Sequence, residues 1–121
     1  MSADPGSVID SAALDRLRES VGDEFLGELT TTFLDDAPTQ LATLRRALER
    51  GDGEEARRVA HTLKSNGATF GAEGFSEVCR QLEEKAKTGA LAGGAELVGQ
   101  AEAEYARVEA ALADLARGAP S

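Results

Sequence analysis

The chain holds one histidine, His61, in the stretch "RRVAHTLKSNGATFGA" that runs from Arg57 to Ala72. An imidazole open to water titrates near neutral pH, so its unprotonated nitrogen can serve as a nucleophile. Lys64 follows His61 by three residues and Arg57 precedes it by four. On an α-helix these spacings bring the three side chains to one flank. Two cations beside a nucleophilic nitrogen suit an incoming group of negative charge, such as a phosphoryl group. Ser65 and Ala68 are small, which leaves room for a partner's active site to approach, and Arg58 adds positive charge to the stretch. The plainer reading is a solvated histidine with cations at spacings common on any helix. The surrounding elements bear on the choice.

Those elements read as helices. Taking about 100° per residue and Ala56 as zero, Val59, Ala60, Leu63, Gly67 and Phe70 fall within roughly 60° of it and form an apolar stripe. His61 falls at about 140°, Arg57 near 100° and Lys64 near 80°, so the histidine lies outside the stripe on an outer flank. Asp52 with Glu55 reads as a capping box that starts this helix, and Gly71 as its stop. Gly67, on the core side of the wheel, implies close packing against a neighbouring helix.

Before it, a short helix is capped by Asp10 or Ser11, carries Leu14, Leu17 and Val21, and stops at Gly22. A long helix from about Asp23 to Arg50 follows. Phe25, Leu29 and Phe33 line one edge of it, continued by Leu34, Ala37, Leu41, Leu44 and Leu48. Pro38 removes a backbone donor and predicts a kink or a split there. After the histidine helix, Phe75, Val78, Cys79, Leu82 and Ala86 mark a fourth helix that breaks at Gly89 and the "AGG" of residues 92–94. Leu97, Val98, Ala101, Tyr105, Val108, Leu112 and Leu115 mark a fifth. Strand-like alternation is absent from the pattern. The expected fold class is all-α, an antiparallel four-helix bundle with an additional short N-terminal helix. Residues 1–9 and 117–121 read as flexible ends around one domain of residues 10–116.

Composition narrows the function. The 121 residues are 41% apolar but only 4% aromatic, so Ala, Leu and Val must supply most of the core. A formal net charge of -9 argues against nucleic acid as a partner, because phosphate binding needs a basic surface. The single cysteine, Cys79, precludes an intrachain disulfide and fits a reducing compartment. It sits in an apolar stripe, where a buried inert thiol is expected. The N-terminal segment lacks the pattern of a signal peptide and no apolar run would span a membrane, so a cytoplasmic location is expected. No His/Cys cluster has metal-ligand spacing. Gly93 and Gly94 belong to a loop, since no Lys-Ser/Thr follows them as in a phosphate-cradling motif. Asp35 and Asp36 read as a solvated face, and Tyr105 as a core-edge residue.

The stretch "HTLKSNGATFG" resembles the histidine-containing phosphotransfer (HPt) domain family. Its pattern is His-x-x-Lys, then small residues and a later Gly: here His61, Lys64, Ser65 and Gly71. The preceding "AH" and the later "CRQLE" also fit. "LDRLRESVGDEFLGELTTTFLDDAPTQLATLRRALERGD" is similar to the family's first two helices, including the proline in the second. The resemblance extends over about residues 8–116.

It implies that His61 is the phosphoacceptor and that Lys64 pairs with the phosphoryl oxygens, with Arg57 as additional charge. Ser65 stands where the family often has Gly; being small, it should preserve access. Some members place a polar or acidic side chain on the neighbouring helix against the other imidazole nitrogen, and Glu83 in "LEE" matches that place. A turn near residues 71–73 would set 82 or 83 level with His61. Glu83 as a plain solvated acid stands as the alternative. The resemblance also places an apolar docking surface near the acceptor, to which Phe25, Leu26 and Leu29 could contribute.

The implied function is that of a phosphocarrier. His61 Nε2 accepts a phosphoryl group from a receiver-domain phosphoaspartate, or directly from a separate histidine kinase, and passes it to another receiver aspartate. No ATP site is evident, so the chain should not be an enzyme and needs no cofactor; Mg²⁺ is expected in the partner receiver domain. A monomer without nucleic-acid or membrane partners is expected. Running from Met1 to a polar tail, the chain reads as a free-standing protein rather than a domain of a hybrid kinase. The alternative from another class is a non-catalytic helical protein-protein interaction module in signalling. A small hydrolase built on His61 and Glu83 would lack a nucleophile–base–orienter set.

Overall fold

The computed structural model describes residues 8–116. Five helices follow one another: α1 (Ser11–Val21), α2 (Asp23–Glu49), α3 (Gly53–Thr69), α4 (Glu73–Thr88) and α5 (Gly94–Ala116). Among the described residues there is no strand. α2 packs on α3, α3 on α4, α4 on α5 and α5 back on α2, which closes an antiparallel four-helix bundle. α1 lies across α2 and α3 at one end. No described helix is long and apolar enough to cross a membrane.

Local chemistry sets the helix limits. Asp10 caps α1, its carboxylate accepting from the Ala12 amide at 3.1 Å. Gly22, at φ +86°, turns the chain from α1 into α2, where Asp23 and Glu24 in the first turn complement the helix dipole. Asp52 caps α3 by accepting from the Glu55 amide at 3.1 Å. The expected capping box is only half made. The Glu55 carboxylate pairs with Arg58, and the Asp52 amide donates to the Ala47 carbonyl at 2.8 Å.

Pro38 does not split α2, which runs unbroken past it. Without an N–H, Pro38 leaves the Leu34 carbonyl without its helical donor. The Tyr105 hydroxyl, from α5, donates to that carbonyl at 3.1 Å. The gap is closed from across the bundle, so the helix need not break.

The core is built mainly from Ala, Leu and Val, as the composition requires, with the scarce aromatics gathered at one place. Phe33 lies against Phe70 at 5.1 Å between ring centroids, and against Phe75 and Tyr105 at 6.3 and 5.9 Å. The exception is Phe25, which is 49% exposed, while its neighbour Leu26 is buried. The expected edge of Phe25, Leu29 and Phe33 is thus corrected to Leu26 and Phe33, with Leu29 half-buried. Leu26 turns towards Leu14, and both line a pocket between α1, α2 and α5. Farther along α2, Ala47 is fully buried and Leu48 only partly.

Val8 and Ile9, which the sequence assigns to a flexible end, are half-buried against the core. The Asp10 amide anchors them by donating to the Gly71 carbonyl at 2.8 Å. Residues 1–7 and 117–121, and the side chain of Leu115, lie outside the described residues.

Candidate functional site

His61 sits in the middle of α3, and what surrounds it follows from how α3 meets α4. Two features hold these helices close. A Cβ on Gly67 would lie 2.9 Å from a ring carbon of Phe75, so only glycine permits this approach. One turn nearer to His61, the Ser76 hydroxyl of α4 donates to the Lys64 carbonyl of α3 at 2.9 Å. The hairpin turn is set by Gly71 at φ +76°, where a Cβ would also meet the Asp10 carbonyl oxygen at 2.8 Å. With the turn and the approach fixed, Glu83 of α4 comes level with His61.

The Glu83 carboxylate engages two side chains of α3 at once. Its Oε2 lies 2.9 Å from His61 Nδ1 and its Oε1 lies 2.8 Å from Lys64 Nζ. The Glu83 side chain is only 15% exposed, against 56% for His61. The bond from Lys64 holds the carboxyl below its ordinary pKa of 4.5; the bond from His61 adds to this, and partial burial opposes it. An ionised carboxylate only accepts hydrogen bonds, so Nδ1 carries a proton, and in the neutral ring the lone pair is on Nε2. Nε2 has no hydrogen-bond partner among the described residues. The arrangement is an exposed imidazole held by one nitrogen with the other free, set on an open helix surface.

Of the residues marked in the sequence, His61, Lys64 and Glu83 come together. Ser65 is exposed one turn beyond His61, and with Ala68 it leaves the surface low. Arg57, half-buried one turn before His61, makes no ion pair or hydrogen bond among the described residues and does not join the cluster. Lys64 reaches Glu83 rather than standing free. An open groove of about 180 Å³ adjoins it, lined by Lys64, Ala68, Glu73, Ser76, Glu77 and Arg80. Ser76 was missed by sequence reasoning, and no signal could have found it, because its partner is a main-chain carbonyl. Cys79 is buried beneath this surface, and burial pushes its thiol up to about 12, so it is no nucleophile at neutral pH.

Comparison with known proteins bears on the family and the fold. The Hpt domain family model matches residues 28–116. The solved histidine-containing phosphotransfer protein B (HptB) of Pseudomonas aeruginosa PAO1 is 34% identical, with a TM-score of 0.80 over 86% of this chain and 90% of that one. Histidine-containing phosphotransfer protein 1 of Oryza sativa subsp. japonica is 32% identical over 73 residues, which is 59% of this chain and 50% of the Oryza protein. The match therefore spans half the length of that relative. The chain belongs to the Hpt domain family. Proteins of this family are phosphocarriers rather than enzymes and work with phosphorelay partners such as response regulators. α1 and the first turn of α2 precede the matched residues.

Proposed function

We propose that His61 is the acceptor of a phosphorelay, taking a phosphoryl group on Nε2 from a receiver-domain phosphoaspartate and passing it to another receiver aspartate. The observation that carries this reading is the half-exposed imidazole whose Nδ1 is bound to Glu83 while Nε2 is open. A histidine kinase acting on His61 directly is the variant upstream donor.

In the inward step the N–P bond forms as the donor's P–O bond breaks, and the donor carboxylate leaves with the electron pair. The Nδ1 proton stays on the ring, and Glu83 faces the positive charge that develops there. Lys64 and Arg57 lend positive charge to the transferring group, whose oxygens carry the negative charge in a loose transition state. Ser65 and Ala68 let the partner's catalytic loops come close. Mg²⁺ and the acidic pocket belong to the receiver, so this chain needs no cofactor. With its apolar stripes paired inside one bundle, the chain acts as a monomer in the cytoplasm.

Acceptor competence tests the reading. Wild type and His61→Gln are treated with phosphoramidate, or with a phosphorylated receiver domain and Mg²⁺, and intact mass and acid lability are recorded. One acid-labile phosphoryl group on wild type and none on the variant is the expected result. No label on folded wild type overturns the reading and leaves a helical interaction module.

A further inference from the structure

Glu83 divides its carboxylate between the nucleophile and the cation that would neutralise the phosphoryl group. Orientation of the ring needs only one of these contacts. The second has its own consequence, because Lys64 held by Glu83 is withheld from a phosphoryl group resting on Nε2. We infer that Glu83, by binding His61 Nδ1 and Lys64 Nζ together, keeps phosphorylated His61 in its readily transferable form. Glu83 is thus a positioning residue that sets how long the phosphoryl group stays. This inference rests on the acceptor reading of His61.

Both contacts act in the same direction. When the group leaves, the N–P bond breaks and its electron pair returns to Nε2. Because Oε2 keeps the proton on Nδ1, the ring departs as neutral imidazole rather than as an anion. Oε1 meanwhile competes with the phosphoryl oxygens for the Lys64 ammonium. A cation bound as tightly to the resting phosphoprotein as to the transition state would not speed transfer. Held by Glu83, Lys64 does not add to the stability of the resting phosphoprotein; freed, it would bind the resting phosphoryl oxygens and slow their loss.

The cluster is isolated enough for this to be tested. α4 contributes Glu83, and α3 contributes His61 and Lys64, with Arg57 one turn away. Among the described residues, α2 gives no ion-pair or hydrogen-bond partner to His61, Lys64 or Glu83.

The experiment loads wild type, Glu83→Gln, Lys64→Ala and the double variant with phosphoramidate, removes the donor, and follows decay of the phosphoprotein by intact mass. Thermal melts of the unlabelled proteins run alongside. Gln can still accept from Nδ1–H, so ring orientation is retained while the charge is lost. The lifetime of phospho-His61 should lengthen roughly three- to tenfold in Glu83→Gln, since charge-assisted bonds are about twice as strong as neutral ones. Lys64→Ala alone should slow loading but leave the lifetime close to wild type. In the Glu83→Gln background, removing Lys64 should shorten the lifetime again.

A Glu83→Gln protein that decays at the wild-type rate or faster overturns the inference. So does a Lys64→Ala lifetime far from wild type, which is the deciding arm if Glu83→Gln melts below the assay temperature. If wild type takes no label, or His61→Gln takes it equally, the acceptor reading itself fails and takes this inference with it.

Discussion

At the scale of single residues, the site depends on one side chain that is missing. Gly67 makes no contact with His61, yet it lets α4 come near enough for Glu83 to reach the ring. Replacing Gly67 by Ala drives a methyl group to 2.9 Å from the Phe75 ring, which is fully buried and packed on other aromatics. Overpacking of this kind costs about 1–3 kcal/mol. Gly67→Ala should therefore lower the urea midpoint. It should also lower the rate of His61 labelling in the fraction that stays folded, because the Glu83 contact opens. An unchanged labelling rate would show that helix separation is not what governs the site.

The glycine's packing role was legible in the sequence, since Gly67 falls on the core side of the wheel. Glu83 was legible as a level on the hairpin, because helix rise is constant. The Lys64–Glu83 bond was not legible. A long flexible side chain on one helix flank has several reachable partners, and only the packed hairpin selects among them.

At the scale of elements, α2 and α5 share a backbone debt left by Pro38. The Leu34 carbonyl, deprived of an amide partner, takes the Tyr105 hydroxyl instead. Burial pushes that hydroxyl up to about 12, with Glu109 and Asp35 adding to the rise, so it stays a donor at all ordinary pH. Tyr105→Phe should cost about 0.5–1.5 kcal/mol, the net worth of a typical hydrogen bond, since this one is only part-buried. In a Pro38→Ala background the helix supplies its own donor to Leu34, and the cost of Tyr105→Phe should shrink. Chemical denaturation of the four proteins in the double-mutant cycle measures this coupling. Additive effects would mean that the hydroxyl contributes through packing alone.

The sequence announced the proline but not its repair, which spans residues 71 positions apart. Phe25 shows a second limit of reading by element. The series of Phe25, Leu29 and Phe33 fits helical spacing as well as Leu26 and Phe33 do. What decides is α1, whose Leu14 shares a pocket with Leu26. Periodicity within α2 carries no information about where another helix docks.

At the scale of the whole molecule, the largely buried Glu83 ties the candidate site to the stability of an acidic chain. The Glu83 carboxyl is held below its ordinary value of 4.5, chiefly by Lys64, so folding gains from its ionised form. That gain is fully present above the ordinary carboxylate pKa and is lost as pH falls through the lowered folded value. Wild type should thus lose stability on acidification from about pH 4.5 downward, and Glu83→Gln should lose less over the same window. Urea midpoints measured across that range check the sign. A steeper acid loss in the variant would mean that Glu83 is not stabilised by its two partners. Lys64 is only partly exposed and Glu83 less so, which makes this pair less subject to solvent screening than ion pairs such as Arg80 with Glu77.

The Tyr105 bond has an optical consequence. The chain has no tryptophan and a single tyrosine. All of its tyrosine absorption and emission therefore originates where α5 meets α2 rather than at the histidine surface. Phenolate absorbance between about pH 10, where a free phenol ionises, and about pH 12 would then come from chains whose seam has opened. The protein thus carries a built-in label for the integrity of its scaffold, spectrally separate from the phosphoryl transfer proposed at His61.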